Sequence, residues 1–98
     1  MASSEDAAGR LRRLARNPNI RFLYRRHAEV ELRADGIEKL DLANMLRRCW
    51  VSRSEISGRE QTHRAEGTDG AGRPIAAVVV MYEEVPAIKV ITGWVGKR

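Results

Sequence analysis

The sequence predicts an α+β domain in which three N-terminal helices pack on a four-stranded antiparallel meander, and three observations carry that expectation. Up to Cys49 the apolar residues recur at spacings of three and four, as one face of a helix requires. From Trp50 onward the period drops to two, the signature of strands. The segments after Trp50 are separated only by Ser57-Gly58, by Thr68 to Gly72 and by Glu83 to Pro86, connections too short for parallel crossovers.

Residues 4–16 read as the first helix. Ser3 or Ser4 is placed to cap it, Glu5 and Asp6 complement its positive end, and Ala7, Ala8, Leu11, Leu14 and Ala15 form one apolar stripe. Arg10, Arg12, Arg13 and Arg16 occupy the other side, and Asn17-Pro18-Asn19 ends the helix. Ile20 to Tyr24 is a short apolar lead-in to a second helix, which closes at Asp35-Gly36 with Gly36 in the left-handed position after the cap. The third helix, from about Glu38 to Arg48, buries Leu42, Met45, Leu46 and Cys49. Four strands follow, at Trp50–Glu55, Arg59–Glu66, Ile75–Tyr82 and Ala87–Trp94. Trp50–Glu55 is expected at an edge, with Trp50 closing the core. Ile75–Met81, wholly apolar, is expected at the centre under the helices.

The 98 residues are expected to form a single domain, residues 1–98, with a modest core, since 43% of them are apolar. The net charge of +5 rests on fifteen arginines against three lysines, a balance that favours phosphate partners because guanidinium is a planar fork. A genome that writes arginine for lysine would leave the same composition. One cysteine suits a reducing cytoplasm, and the acidic N-terminus lacks a leader pattern, so a cytoplasmic chain with no membrane partner is expected. Two histidines and one cysteine, far apart, make a structural zinc site unexpected, and no cofactor is expected.

The stretch His27–Ile37 carries the most suggestive chemistry. A helical step from His27 to Glu31 stacks the two side chains at about 5–6 Å between Cβ atoms, a plausible proton-transfer pair, while Arg33 points elsewhere. Alternatively, His27 shares an apolar stripe with Leu23, Val30 and Ala34 and is a core-edge histidine. In the strand 59–66, alternation sets Thr62, Arg64 and Glu66 on one face and Gln61, His63 and Ala65 on the other. Arg64 is thereby a phosphate clamp or one member of a cross-strand ion pair. In the last strand, strict alternation groups Ile88, Val90, Thr92 and Trp94, with Thr92 offering a hydroxyl and Trp94 a base-stacking platform.

His27-Ala28 near a helix start, Gly36-Ile37 before the next helix, EGTDGAGR from Glu66 to Arg73 and the closing Val90-Ile91-Thr92-Gly93-Trp94 together resemble the small bacterial Domain of Unknown Function 4258 family. The resemblance covers about residues 20–95 and leaves residues 1–19 as a helical extension. That family is similar to the RelE-like toxins of toxin–antitoxin systems, whose better-known members cleave RNA. The resemblance implies a RelE-like fold, a metal-independent endoribonuclease, and RNA, including ribosome-bound mRNA, and a cognate antitoxin as partners. His27, Arg64 and Thr92 match the family's recurrent His, strand Arg and Thr. Glu31 and Asp35 stand where the family often has arginines, so two expected phosphate ligands are carboxylates here.

The catalytic candidates are accordingly His27, Glu31, Arg64 and Thr92, and the RNA or phosphate contacts are Arg25, Arg26, Arg33, Arg73 and Trp94. In the expected reaction a 2′-hydroxyl attacks its own phosphate, with His27 as acid–base group, Glu31 holding its tautomer, and arginines stabilising the phosphate. The alternative is a non-catalytic protein- or nucleic-acid-binding module of the same fold.

Overall fold

A computed structural model describes residues 4–96. Helix α1 (Ser4–Ala15) places Glu5 and Asp6 in its first turn and buries Ala7, Ala8, Leu11, Leu14 and Ala15, the stripe its spacing requires. Ser3 lies outside the described residues. Past the helix, Asn17 Oδ1 accepts the Asn19 N–H at 2.8 Å, a local turn that Pro18 enforces by ending the α conformation. The next segment is a strand, β1 (Arg21–Tyr24).

Helix α2 (Arg26–Ala34) buries only Ala28 and Leu32. It ends as its sequence requires: Gly36 takes φ +67°, its N–H reaches Arg33 O at 3.1 Å, and the Ile37 N–H reaches Leu32 O at 2.8 Å. This paired closure satisfies two terminal carbonyls, and Ile37 and Leu32 both lie in the core. Helix α3 (Lys39–Leu46) buries Leu42, Ala43, Met45 and Leu46. Cys49 follows it into the interior, where burial pushes its thiol up to about 11.

Strands β2 (Trp50–Ser57), β3 (Glu60–Thr68), β4 (Pro74–Tyr82) and β5 (Ala87–Val95) form the expected meander, with β4 central and β2 at an edge. The sheet nevertheless has five strands, in the order β1-β5-β4-β3-β2, and is mixed, because β1 pairs parallel to β5 with Arg21 opposite Ala87 and Tyr24 opposite Val90. The four-stranded antiparallel expectation is corrected by this strand. Four residues show too little alternation to announce themselves, and their partner lies at the far end of the chain.

The helices cover one face of the sheet, α1 against β2, α3 against β3 and α2 against β5, with Leu11, Leu42, Leu46, Ile75, Val79, Ile88 and Val90 in the shared core. No helix of the described residues packs on the other face, which carries Arg53 and Glu55 of β2, Thr62, Arg64 and Glu66 of β3, and Val78 of β4. The last strand departs from strict alternation. Val78 pairs with Thr92 but Val79 pairs with Val90, so Ile91 is an inserted residue. The bulge keeps Ile88 and Val90 in the core while turning Thr92 and Trp94 to the open face, which corrects the expected grouping.

Candidate functional site

Because β1 runs straight into α2, the helix continues along β5 beyond the end of β1. The Arg25 N–H reaches Val90 O at 3.1 Å, one last step of the ladder. After it, a carboxylate of α2 and that of its C-cap residue replace a strand. The Thr92 hydroxyl donates to Glu31, and Asp35 Oδ2 accepts the Val95 N–H at 2.9 Å. Leu32, between them, packs over Gly93 so closely that a Cβ at position 93 falls 2.6 Å from Leu32 Cδ2. The helix thus straddles β5, with Leu32 on the core side and Glu31 on the open side.

Glu31 also meets His27, whose Nε2 lies 3.3 Å from Glu31 Oε1. The His27 side chain is 76% exposed and Val30 is exposed as well, so the core-edge reading of this histidine does not hold. From Thr92 a cross-strand row crosses the open face: Thr92 opposite Val78, Val78 opposite Arg64, Arg64 opposite Arg53. Arg64 leans back over β5, its Cζ 5.0 Å from the Trp94 ring centroid, with Nε 3.5 Å from Glu66 Oε2. Arg53 Nε is 2.9 Å from Glu55 Oε1. Arg53, Glu55, Thr62, Arg64, Val78 and Trp94 line a depression of about 150 Å³. Like charges directly opposite on neighbouring strands are unfavourable, so the Arg53–Arg64 pair gains from any anion that enters.

Of the catalytic candidates, His27, Glu31 and Thr92 are joined by direct contacts, and Arg64 stands two strands further along the same row. Arg25 and Arg26 are exposed at the start of α2, beside His27. Arg33 is apart from them, lining a separate depression with Glu29, Leu32, Ile37 and Lys39.

Two phosphate candidates are otherwise engaged. Arg73 Nε binds Asp69 Oδ2 at 2.8 Å, and its two terminal nitrogens donate to Asp35 O at 3.1 Å and Gly36 O at 2.9 Å. It clasps the β3–β4 turn to the negative end of α2, and its side-chain and backbone hydrogen bonds to Asp69 hold that carboxyl below the usual range. Trp94 is 5% exposed, with Arg64 over its ring, so it is no open stacking platform. Trp50, expected to close the core, is instead 53% exposed on the edge strand.

Arg53 and Lys89 join the open face without having been singled out in the sequence. Tyr82 donates to Glu60, and Lys89 Nζ sits 3.0 Å from both Glu60 oxygens; Tyr82 and then Lys89 lower the Glu60 pKa, while Tyr82 and then Glu60 raise that of Lys89. Arg53 was findable: counting back from a two-residue turn at Gly58-Arg59 sets it opposite Arg64. Compared with protein-family models and with curated proteins, the chain matches none.

Proposed function

We propose that the chain is a RelE-like toxin that binds RNA on the open face of its sheet and cleaves it by 2′-hydroxyl attack. The observation that supports this reading is the contact chain His27–Glu31–Thr92 at the rim of an uncovered face whose next cross-strand positions are Arg64 and Arg53. His27 is open to solvent on one side and to Glu31 on the other, the surroundings a proton-transfer group needs. In the reaction His27 takes the 2′-hydroxyl proton as that oxygen bonds to phosphorus, and the P–O5′ bond breaks with the leaving 5′ oxygen taking a proton from solvent; Glu31 orients the His27 ring, and Arg64, leaning toward β5, offsets phosphate charge as the pentavalent centre forms. Thr92 is a positioning residue, acting through Glu31. RNA, free or on the ribosome, is the proposed substrate, and a cognate antitoxin the proposed protein partner.

The experiment is cleavage of RNA, alone and on translating ribosomes, by the wild type, His27→Gln and Arg64→Lys. His27→Gln is expected to lose about 10²–10⁴-fold in rate with its unfolding midpoint unmoved. Arg64→Lys keeps charge but loses the fork, and is expected to lose activity as well. A folded wild type inert on both substrates overturns the enzyme. The binding-module reading then leads, favoured by Glu31 and Asp35, which β5 already uses as hydrogen-bond acceptors. RNA binding that ignores salt removes nucleic acid as the partner and leaves only a protein-binding module, since each neutralised single-strand phosphate contributes about −0.7 to the log–log slope.

A further inference from the structure

Among the described residues, strand β2 has a strand neighbour on its β3 side alone. Ser57 and Glu60 flank the two-residue turn Gly58-Arg59, with Gly58 at φ +63°, as a turn of the hairpin type with glycine in first position requires. In such a hairpin the flanking pair exchanges backbone hydrogen bonds and the pattern alternates from there. Glu55 and Arg53 therefore direct their N–H and C=O toward β3, while Ile56 and Ser54 direct theirs outward.

We propose that two copies of this chain pair antiparallel through β2, about a two-fold axis at Ser54, joining their five-stranded sheets into one. Charge complementarity selects this occupant. With Ser54 opposite the partner's Ser54, Arg53 falls opposite the partner's Glu55 and Glu55 opposite the partner's Arg53, two identical ion pairs at the closely spaced positions of the ladder. Both side chains are exposed and within reach of such a partner, at 69% and 56%. The partner's Glu55 adds a second anion to Arg53, whose own Glu55 lies 2.9 Å away, on the side away from Arg64. Ile56, 73% exposed, flanks the paired segment and comes under cover. The interface is isologous, so it closes at two copies and does not propagate. It also sets the two open faces side by side as one continuous surface, a consequence independent of whether that surface cleaves RNA.

Sedimentation equilibrium of the full chain and its charge-swap variants tests the pairing. The wild type is expected to be a dimer. Arg53→Glu and Glu55→Arg each set like charges opposite one another in both ion pairs, and each is expected to weaken dimerisation about a hundredfold or more. The double variant carrying both swaps restores the pairs and the dimer. Mixing the two single variants is the sharpest arm. Each is monomeric alone, but Arg53→Glu presents two carboxylates along β2 and Glu55→Arg presents two guanidinium groups, so the mixture forms a heterodimer. Circular dichroism monitors the fold of every variant, and Ile56→Lys is a second route to the monomer. A monomeric wild type, dimeric single variants, or a mixture that fails to associate overturns the proposal.

Discussion

Asp35 Oδ2 accepts the backbone N–H of Val95 at 2.9 Å, so the side chain that caps α2 closes the ladder where β1 has run out. Sheet edges are ordinarily met by another strand or by water. Here the helix following the short strand and its C-cap supply two carboxylates four residues apart, Glu31 and Asp35, and both are used on β5. Asp35→Ala leaves the Val95 N–H without its acceptor and is expected to cost about 1–3 kcal/mol, while Asp35→Asn, which keeps a carbonyl oxygen, costs less. Urea unfolding of the two variants reads the difference. Equal, negligible losses would show that water substitutes for Asp35.

Close approach of α2 to β5 depends equally on Gly93. A methyl group there meets Leu32 Cδ2 at 2.6 Å and Ala76 O at 3.4 Å, so Gly93→Ala overpacks the junction and is expected to cost about 1–3 kcal/mol. Leu32→Ala opens a cavity at the same place and costs about 2–5 kcal/mol alone. The double variant is expected to lose less than the sum of the two, because the added methyl enters the space that leucine vacates. Additive losses in a double-mutant cycle would place the strain elsewhere.

His63 supplies a pH dependence. It lies 3% exposed on the helix side of β3, with Nδ1 2.7 Å from Ser54 Oγ, and burial lowers its pKa, with Arg10 adding to the effect. A histidine depressed in the folded state binds its proton more readily unfolded. Its contribution to stability is therefore complete above the unfolded value of about 6.5 and is lost as pH falls through the lower folded value. Thermal midpoints of the wild type should fall more steeply below neutrality than those of His63→Gln. Parallel curves would mean that another group sets the slope.

The helices and the meander were legible because each segment's burial follows its own period: Leu11 and Leu14, Leu42 and Leu46, Ile75 and Val79 are core where spacing alone puts them. What escaped depends on partners distant in the chain. Four residues of β1 gain strand character only from pairing with β5. One inserted residue, Ile91, reverses the faces of Thr92 and Trp94 relative to Val90, and no local signal marks it. The candidate site divides along the same line. His27 and Glu31 are neighbours by helical spacing, and so could be paired in advance. Thr92 reaches Glu31, and Arg53 opposes Arg64, only through the register of the whole sheet. The engagement of Arg73 was hidden for the same reason, since the carbonyls that hold it belong to Asp35 and Gly36, distant in sequence.

The contact between Thr92 and Glu31 tests the proposed chemistry where His27 alone does not. If Glu31 orients the His27 ring and Thr92 holds Glu31, Thr92→Val, which keeps shape and removes the hydroxyl, frees the carboxylate to turn away. One hydrogen bond is lost, so stability should fall by only about 0.5–1.5 kcal/mol. RNA binding should be unchanged, because neither residue is a proposed phosphate contact, and the loss should appear in kcat with KM preserved. Glu31→Gln keeps an acceptor for Thr92 but puts an amide where the carboxylate met His27 Nε2, so its loss in kcat should exceed that of Thr92→Val and fall short of that of His27→Gln. A merely structural role predicts another pattern: both variants unfold earlier, and the folded fraction retains full kcat. Single-turnover cleavage and urea unfolding on the same preparations separate the two, and an unaltered kcat in Glu31→Gln would leave His27 to act without its neighbour.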